Sequence, residues 1–445
     1  MTETTETHTI LGAGLSGLSA AYHLGHEHSV IYEAEDFTGG HIHSRYRDGF
    51  VWDDGPHISF TKDDYVKDLF ESSVDGDYEV LQVQPANYFR GHWIDHPAQV
   101  NLYQVPEPLR TQCLESFLAT RQDFDPGEEP KHYGEWLHRM YGPVFADTFP
   151  SAYTRKYWTT EPHNLDVDWI KSRMYTPDVE EVKAGAVGPL SESKHYITTA
   201  RYPSHGGYIS YASELRRGAR ISHGKRMEAI DFDRRWLGFA DGSEASWSGA
   251  LISSLPLPVL IAAASSVPDD VREAADLLRC TELLLVEVSA NHPTQRDEQW
   301  LYVYDEDKYS TRINFTERLS PNNAPKGHSG VQVEVYGSRE RPLPRARDGV
   351  ASAVTDELVE MGLVRGKDAV LRTDWRYVPW ANVMFDLNRR AALEVVDSYL
   401  DRVGVHRIGR YGEWRYYWTD DCVLTGRRVA ERVTADGARS SRGQR

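Results

Sequence analysis

TILGAGLSGLSAAYHLGHEHSVIYE, residues 9–33, reads as a strand, a glycine-rich turn, a helix and a second strand, the order of a nucleotide-binding βαβ unit. Gly12, Gly14 and Gly17 fill the spacing G-x-G-x-x-G. The first glycine permits the tight turn, the second lets backbone N–H groups approach a pyrophosphate, and the third lets the helix pack closely on the strand. The helix from Leu15 to Leu24 points its N-terminal dipole at that phosphate position. Glu33 closes the second strand about twenty residues beyond the first glycine, where an acid receives the ribose hydroxyls. The stretch predicts a dinucleotide site.

Residues 33–60, EAEDFTGGHIHSRYRDGFVWDDGPHISF, continue with a second glycine pair, Gly39 and Gly40, then Ser44, Arg45 and an aromatic strand ending in Asp54-Gly55-Pro56-His57. A plain nicotinamide dehydrogenase has no need of this second segment. The pattern resembles the FAD-dependent superfamily that holds flavin amine oxidases, protoporphyrinogen oxidase and UDP-galactopyranose mutase. In that superfamily the acid-then-GG segment lies along the cofactor's pyrophosphate and ribityl chain. The resemblance therefore implies FAD, with Gly39, Gly40 and Arg45 beside it.

The 445 residues suffice for two domains, and a 40% hydrophobic content with 12 Trp and 25 Tyr supplies core and aromatic pocket walls. A net charge of -17 disfavours nucleic acid and anionic membrane surfaces as partners, while arginines focused in a cleft can still bind an anionic small molecule. Cys113, Cys280 and Cys422 are far apart without C-x-x-C spacing, so no disulfide framework and no metal site is expected, and the compartment reads as cytoplasm. The longest apolar run, Ala250 to Ala264, is broken by Ser253, Ser254, Pro256 and Pro258, so no membrane span is expected.

Helical periodicity dominates from about Pro106 to Met174 and predicts a cap that closes with AYTRKYWTTEPHNLDVDWIKSRM, residues 152–174. A similar aromatic and cationic run occurs in the mutases, where it supplies a uridine-facing aromatic and a diphosphate-facing arginine. By that resemblance Trp158 and Arg173 become substrate candidates; an aromatic core with a capping arginine is the other reading of the same spacing. Short alternating strands follow from Lys225, and the resemblance gives the backbone of Met227 to the adenine end of FAD. From Glu282 to Tyr336 polar and apolar residues alternate, which predicts an antiparallel sheet with one wet face as the floor of a substrate cavity. Arg312 stands on that floor and answers a mutase's need for cations, with salt bridging as its competing explanation.

A second signature, VHRIGRYGEWRYYWTDDCVLTGRRVAERV, spans residues 405–433. The superfamily ends its cofactor domain with such a glycine-rich turn and helix. This assigns Gly409, Arg410 and Asp420 to the cofactor and Tyr416 to substrate, and by the likeness to the mutases Arg410 and Tyr416 would contact cofactor or substrate diphosphate. The mutase's following aspartate falls here at Trp418, with Asp420 and Asp421 displaced beyond it.

The expected fold is α/β: a Rossmann-like FAD-binding domain built from 1–60, 200–265 and 400–433, joined to a mixed antiparallel-sheet and helical substrate domain built from 61–199 and 266–399. Residues 434–445 read as a disordered polar tail. The first functional reading is an FAD-dependent oxidoreductase whose flavin accepts a hydride from a small organic substrate. A nucleotide-sugar mutase is the alternative, favoured by the Gly55-Pro56-His57 turn, which the mutases also carry with its histidine near the flavin. His57 and Arg312 are the catalytic candidates. A flavin-binding protein without catalysis is the third reading, and oligomeric state is open.

Overall fold

A computed structural model describes residues 7–122, 129–170, 174–190 and 197–443. Five strands form one parallel sheet in the order Val405–Arg407, Leu251–Ser253, His8–Leu11, Ser29–Tyr32, Ile221–Ser222. Its central strands are the most buried, with Ile10, Ile31 and Ile252 fully so, while the edge strand Val405–Arg407 carries His406 and Arg407. The helix Leu15–Leu24 follows the first strand, as its periodicity predicts. It packs along the final helix, Thr419–Gly443, so closely that a side chain at Gly426 would strike the Ser16 carbonyl and the Ala20 amide. Ser19 Oγ donates to the Val423 carbonyl at 2.6 Å across this contact.

That final helix corrects one expectation. It runs on through 434 to Gly443, where a disordered tail was predicted. Val429, Ala430 and Val433 bury one of its faces, and the turns beyond need only satisfy their own backbone.

The second sheet has seven strands, ordered Val370–Val378, Glu282–Ala290, Ser329–Gly337, Arg312–Phe315, Trp300–Val303, Ala86–Phe89, His92–Asp95. Period-two alternation sorts its side chains. Leu284, Val286, Val288, Val331, Val333 and Val335 face the helix Arg347–Glu360 in one dry layer. Cross-strand register puts Arg376, Leu285, Glu334 and Arg312 in one row on the opposite face. This is the face expected to be wet, yet Glu287, Gln332 and Glu334 on it are buried. The hairpin Ser44–Arg47/Phe50–Asp53 lies over it, and its polar groups pair with those of the hairpin.

The hairpin Ala86–Phe89/His92–Asp95 extends this sheet by pairing with Trp300–Val303, and does not cover the cofactor sheet. Beside it sits the helical cap, Leu109–Gln122, Tyr133–Tyr141, Pro143–Thr148 and Pro150–Tyr157. The last two helices open on a proline, whose missing N–H costs nothing at a helix start. Cys113, Cys280 and Cys422 are free thiols. Among the described residues no helix is long and apolar enough to cross a membrane.

Candidate active site between the two sheets

A cavity of about 370 Å³ runs from the glycine-rich turn of the parallel sheet to the polar face of the antiparallel one. At its first end the two glycine segments lie side by side. Gly39 donates its N–H to the Ala13 carbonyl at 2.9 Å, and a side chain on Gly40 would come within 3.1 Å of Gly14 Cα. Bare backbone therefore lines the wall at Gly12, Gly14, Gly39 and Gly40. The helix beginning at Leu15 has no side-chain cap and no acid in its first turn, so its leading N–H groups are open to an anion. Gly17 is off the wall, where a side chain would drive into the Gly12 carbonyl. Glu33 fixes the turn by accepting the Ala13 N–H at 2.7 Å and keeps lone pairs toward the cavity for ribose hydroxyls. These features fit a dinucleotide's diphosphate and ribose.

Gly409 stands beside Ser16 at the phosphate end, where a side chain on it would strike Ser16 Oγ, and Arg410, Tyr416, His57 and Arg312 also line the cavity. His57 Nδ1 lies 3.0 Å from the Gly55 carbonyl, an acceptor only, so the ring proton sits on Nδ1 and Nε2 keeps its lone pair. Burial pulls the His57 imidazole down to about 4, opposed by that hydrogen bond and reinforced by Arg410 and Arg312. His57 is thus a neutral base or acceptor. His41, missed in the sequence, shares the cavity and is pulled by burial, then by Arg410, down to about 3.

Arg312 is held by Glu334 through Nε at 2.7 Å and Nη2 at 2.6 Å, and Tyr336 donates to the same carboxylate at 2.8 Å. Its other N–H groups, on Nη1 and the second of Nη2, are not used in this pair. Both readings of this arginine therefore hold together: it is salt-bridged and it faces the cavity. The Glu334 side chain is 2% exposed, so Glu334→Ala would strand a cation among tyrosines. Urea denaturation should show a loss of about 3–5 kcal/mol, largely recovered by adding Arg312→Met, whereas a loss below about 1 kcal/mol would mean the pair is solvated.

Arg410 has a different environment. Its Nε and Nη2 donate to the Tyr417 carbonyl at 3.0 and 2.6 Å, and its guanidinium lies 5.5 Å from the Tyr416 ring. No carboxylate among the described residues pairs with it. Tyr416 and Tyr157 meet through their hydroxyls at 3.1 Å. Trp300, Tyr302 and Tyr336 complete a ring-lined chamber, and Trp418 closes it edge-on against Phe60 at 4.7 Å.

Four assignments do not reach the cavity. Arg45 is claimed by Glu287 in a bidentate pair, 242 residues away in the chain. Met227 starts the small sheet Met227–Asp231/Trp236–Phe239/Glu244–Ser246, paired with Phe239. Asp420 accepts the Asp421 N–H at 3.0 Å, and the wall beside it is Trp418, Thr419 and Cys422. Trp158 is 3% exposed in the cap core, packed on Trp169 and supporting Tyr416 from behind at 5.8 Å. Arg173 lies outside the described residues.

Comparison with known proteins gives the family and the fold. The family model for flavin containing amine oxidoreductase matches residues 15–434. A 4,4'-diapophytoene desaturase of Staphylococcus aureus (strain Newman) is 32% identical over 112 residues, 24% of this chain and 21% of the desaturase, so the match spans about a fifth of that relative's length. A crystal structure of reduced UDP-galactopyranose mutase superposes with a TM-score of 0.89 at 23% identity, covering 97% of this chain and 96% of the mutase. A candidate protoporphyrinogen oxidase from Exiguobacterium sp. 255-15 gives a TM-score of 0.71 at 14% identity, covering 97% and 99%. With the glycine cradle, the open helix terminus and Glu33 on one cavity wall, the chain belongs to the flavin containing amine oxidoreductase family, and its cofactor is FAD.

Proposed function

We propose that this flavoenzyme acts on a nucleotide sugar and rearranges its sugar ring without net oxidation, as a mutase. The observation that carries this reading is Arg410, a half-buried guanidinium on the cavity wall that meets a carbonyl and an aromatic face and has no carboxylate partner among the described residues. A diphosphate supplies the missing charge and matches a guanidinium's fork. A cationic amine would meet that charge uncompensated. A long hydrocarbon would have to desolvate the hydroxyls of Tyr157, Tyr302 and Tyr416, which suit a sugar. Likeness of fold to UDP-galactopyranose mutase over nearly the whole chain supports the reading.

When bound, FAD supplies a nucleophilic ring nitrogen if reduced and a hydride acceptor if oxidised. The chain's own residues do the rest. Arg410 and Arg312 bind and orient the diphosphate, the Tyr157–Tyr416 pair hydrogen-bonds ligand oxygens, and His57 Nε2 accepts a hydrogen bond from a sugar hydroxyl. The aromatic walls exclude water. In this assignment the cofactor domain comprises 1–60, 200–265 and 400–433.

The competing reading, hydride removal from a small organic substrate, is favoured by the same unprotonated His57 Nε2. One experiment separates the two. UDP-hexoses, amines and porphyrinogens are added in turn to anaerobic enzyme while the flavin spectrum is recorded, and sugar products are analysed after dithionite reduction. Conversion between pyranose and furanose forms by the reduced enzyme alone is expected. Bleaching of the oxidised flavin by any of these compounds would establish the oxidoreductase instead, and silence in both arms would leave a flavin-binding protein without catalysis.

A further inference from the structure

The turn that carries His57 is gripped from below. Asp53 Oδ1 accepts from Ser44 Oγ at 2.5 Å and from the Tyr208 N–H at 3.1 Å, and its Oδ2 accepts from Tyr202 at 2.7 Å. The Asp53 carbonyl receives Gln332 Nε2 at 2.7 Å. Asp54, the next residue, has a side chain only 2% exposed and faces two cations from different elements. Arg376 donates from Nη2 to Oδ2 at 2.9 Å, and its Nε lies 2.7 Å from Oδ1 as an ion-pair contact without hydrogen-bond alignment. Arg45 stands 3.7 Å away while holding Glu287. Two guanidiniums thus face two buried carboxylates, and the charges balance.

Arg376 belongs to the strand Val370–Val378 and occupies the row that continues through Leu285 and Glu334 to Arg312. Between Asp54 and His57 the chain rests on this row. Gly55, at φ +92°, lies so close to it that a side chain there would stand 3.0 Å from Glu334 Oε1. Its carbonyl then fixes the His57 ring through Nδ1.

We infer that Asp54 and Arg376 are positioning residues for His57: their buried ion pair ties the 54–57 turn to the substrate sheet and fixes where Nε2 meets the ligand. The Asp54 N–H is held by the His43 carbonyl at 3.2 Å, but beyond it Gly55 contributes no side chain and Pro56 no N–H to anchor the turn. The pair links the row Arg312, Glu334, Leu285 and Arg376 through Asp54 to the turn that carries His57. Removing Arg376 leaves a buried carboxylate, which must take up a proton or swing toward water, and either releases the turn. The inference rests on the proposed function only in giving His57 a role in catalysis.

The test therefore begins without substrate. Holoenzyme carrying ¹³C,¹⁵N-histidine is examined by imidazole-selective NMR, with the His57 signals assigned by their loss in His57→Ala. Arg376→Ala should displace or split those signals, leave those of His138 on the far cap unmoved, and be restored by ethylguanidinium. Arg376→Lys and Asp54→Asn, which preserve packing, should give smaller displacements in the same direction and serve if Arg376→Ala does not fold. His57 signals unchanged in all three variants would overturn the inference. In the second arm, UDP-hexose conversion by Arg376→Ala should lose kcat about 10- to 100-fold at constant KM, with no further loss in a His57→Ala background. Additive losses would overturn the link to His57. Displaced NMR signals with no conversion by the parent enzyme would uphold the positioning and refute the mutase.

Discussion

A Gly17→Val protein is expected to purify colourless, without the flavin absorption of the parent enzyme. Even the first carbon of a side chain at this position would overlap the Gly12 carbonyl oxygen and meet the Ile10 side chain at 3.4 Å. Neither can retreat. The Gly12 carbonyl is part of the turn that presents Gly14 to the cavity, and Ile10 is fully buried in the central strand. The helix would have to lift from the strand, carrying away the N–H groups of Leu15 and Ser16 that line the phosphate end. Overpacking of this kind costs about 1–3 kcal/mol or more, enough to change binding by one to two orders of magnitude. Gly188→Ala is the control. No atom lies within 4 Å of the added carbon at Gly188, and that protein should remain yellow. Flavin content per chain, with circular dichroism to verify folding, is the measurement. A yellow Gly17→Val enzyme would sink the cofactor placement.

Arg410→Met should weaken binding of UDP, measured by calorimetry on the FAD-loaded enzyme, by on the order of 10- to 100-fold. A hydrogen bond to a charged group contributes about 1.5–3 kcal/mol, and each 1.4 kcal/mol is tenfold in affinity. Methionine retains most of the length and packing against Tyr416 while removing the charge. Arg410→Lys should fall between, since it keeps the charge and loses the fork. Flavin retention must be unchanged for the result to concern substrate. If UDP affinity were unaffected while a cationic amine bound more tightly, the anionic-substrate reading would fail and an amine oxidase would take its place.

The parts of this protein that could be read from sequence are those whose causes are local. Gly12, Gly14 and Glu33 announce themselves within 25 residues because one turn must do one job. The alternation in GVQVEVYG displayed the sheet and even its odd feature, a glutamate flanked by valines. That Glu334 was the partner of Arg312 could have been suspected from the two charges on one predicted face. Arg45 could not be read, because what removes it from the cofactor is Glu287, far along the chain on another sheet. Trp158 was ambiguous for a related reason: aromatic spacing is the same for a stacking wall and for a core, and only packing of the cap against Trp169 decides it. The wet face was misread as open because a strand pattern records polarity and cannot record which element will cover it.

The antiparallel sheet has one more consequence, for how such a site can change. Glu282–Ala290 and Ser329–Gly337 are paired residue by residue over nine positions, with valines on one side and the cavity's charged groups on the other. Inserting or deleting a single residue within either strand would exchange the two sides, sending Glu334 into the dry layer and a valine to the ligand. New substrates can therefore be reached by exchanging side chains at fixed length, or by altering the loops that join the strands. The strands themselves behave as a ruler whose divisions cannot be moved.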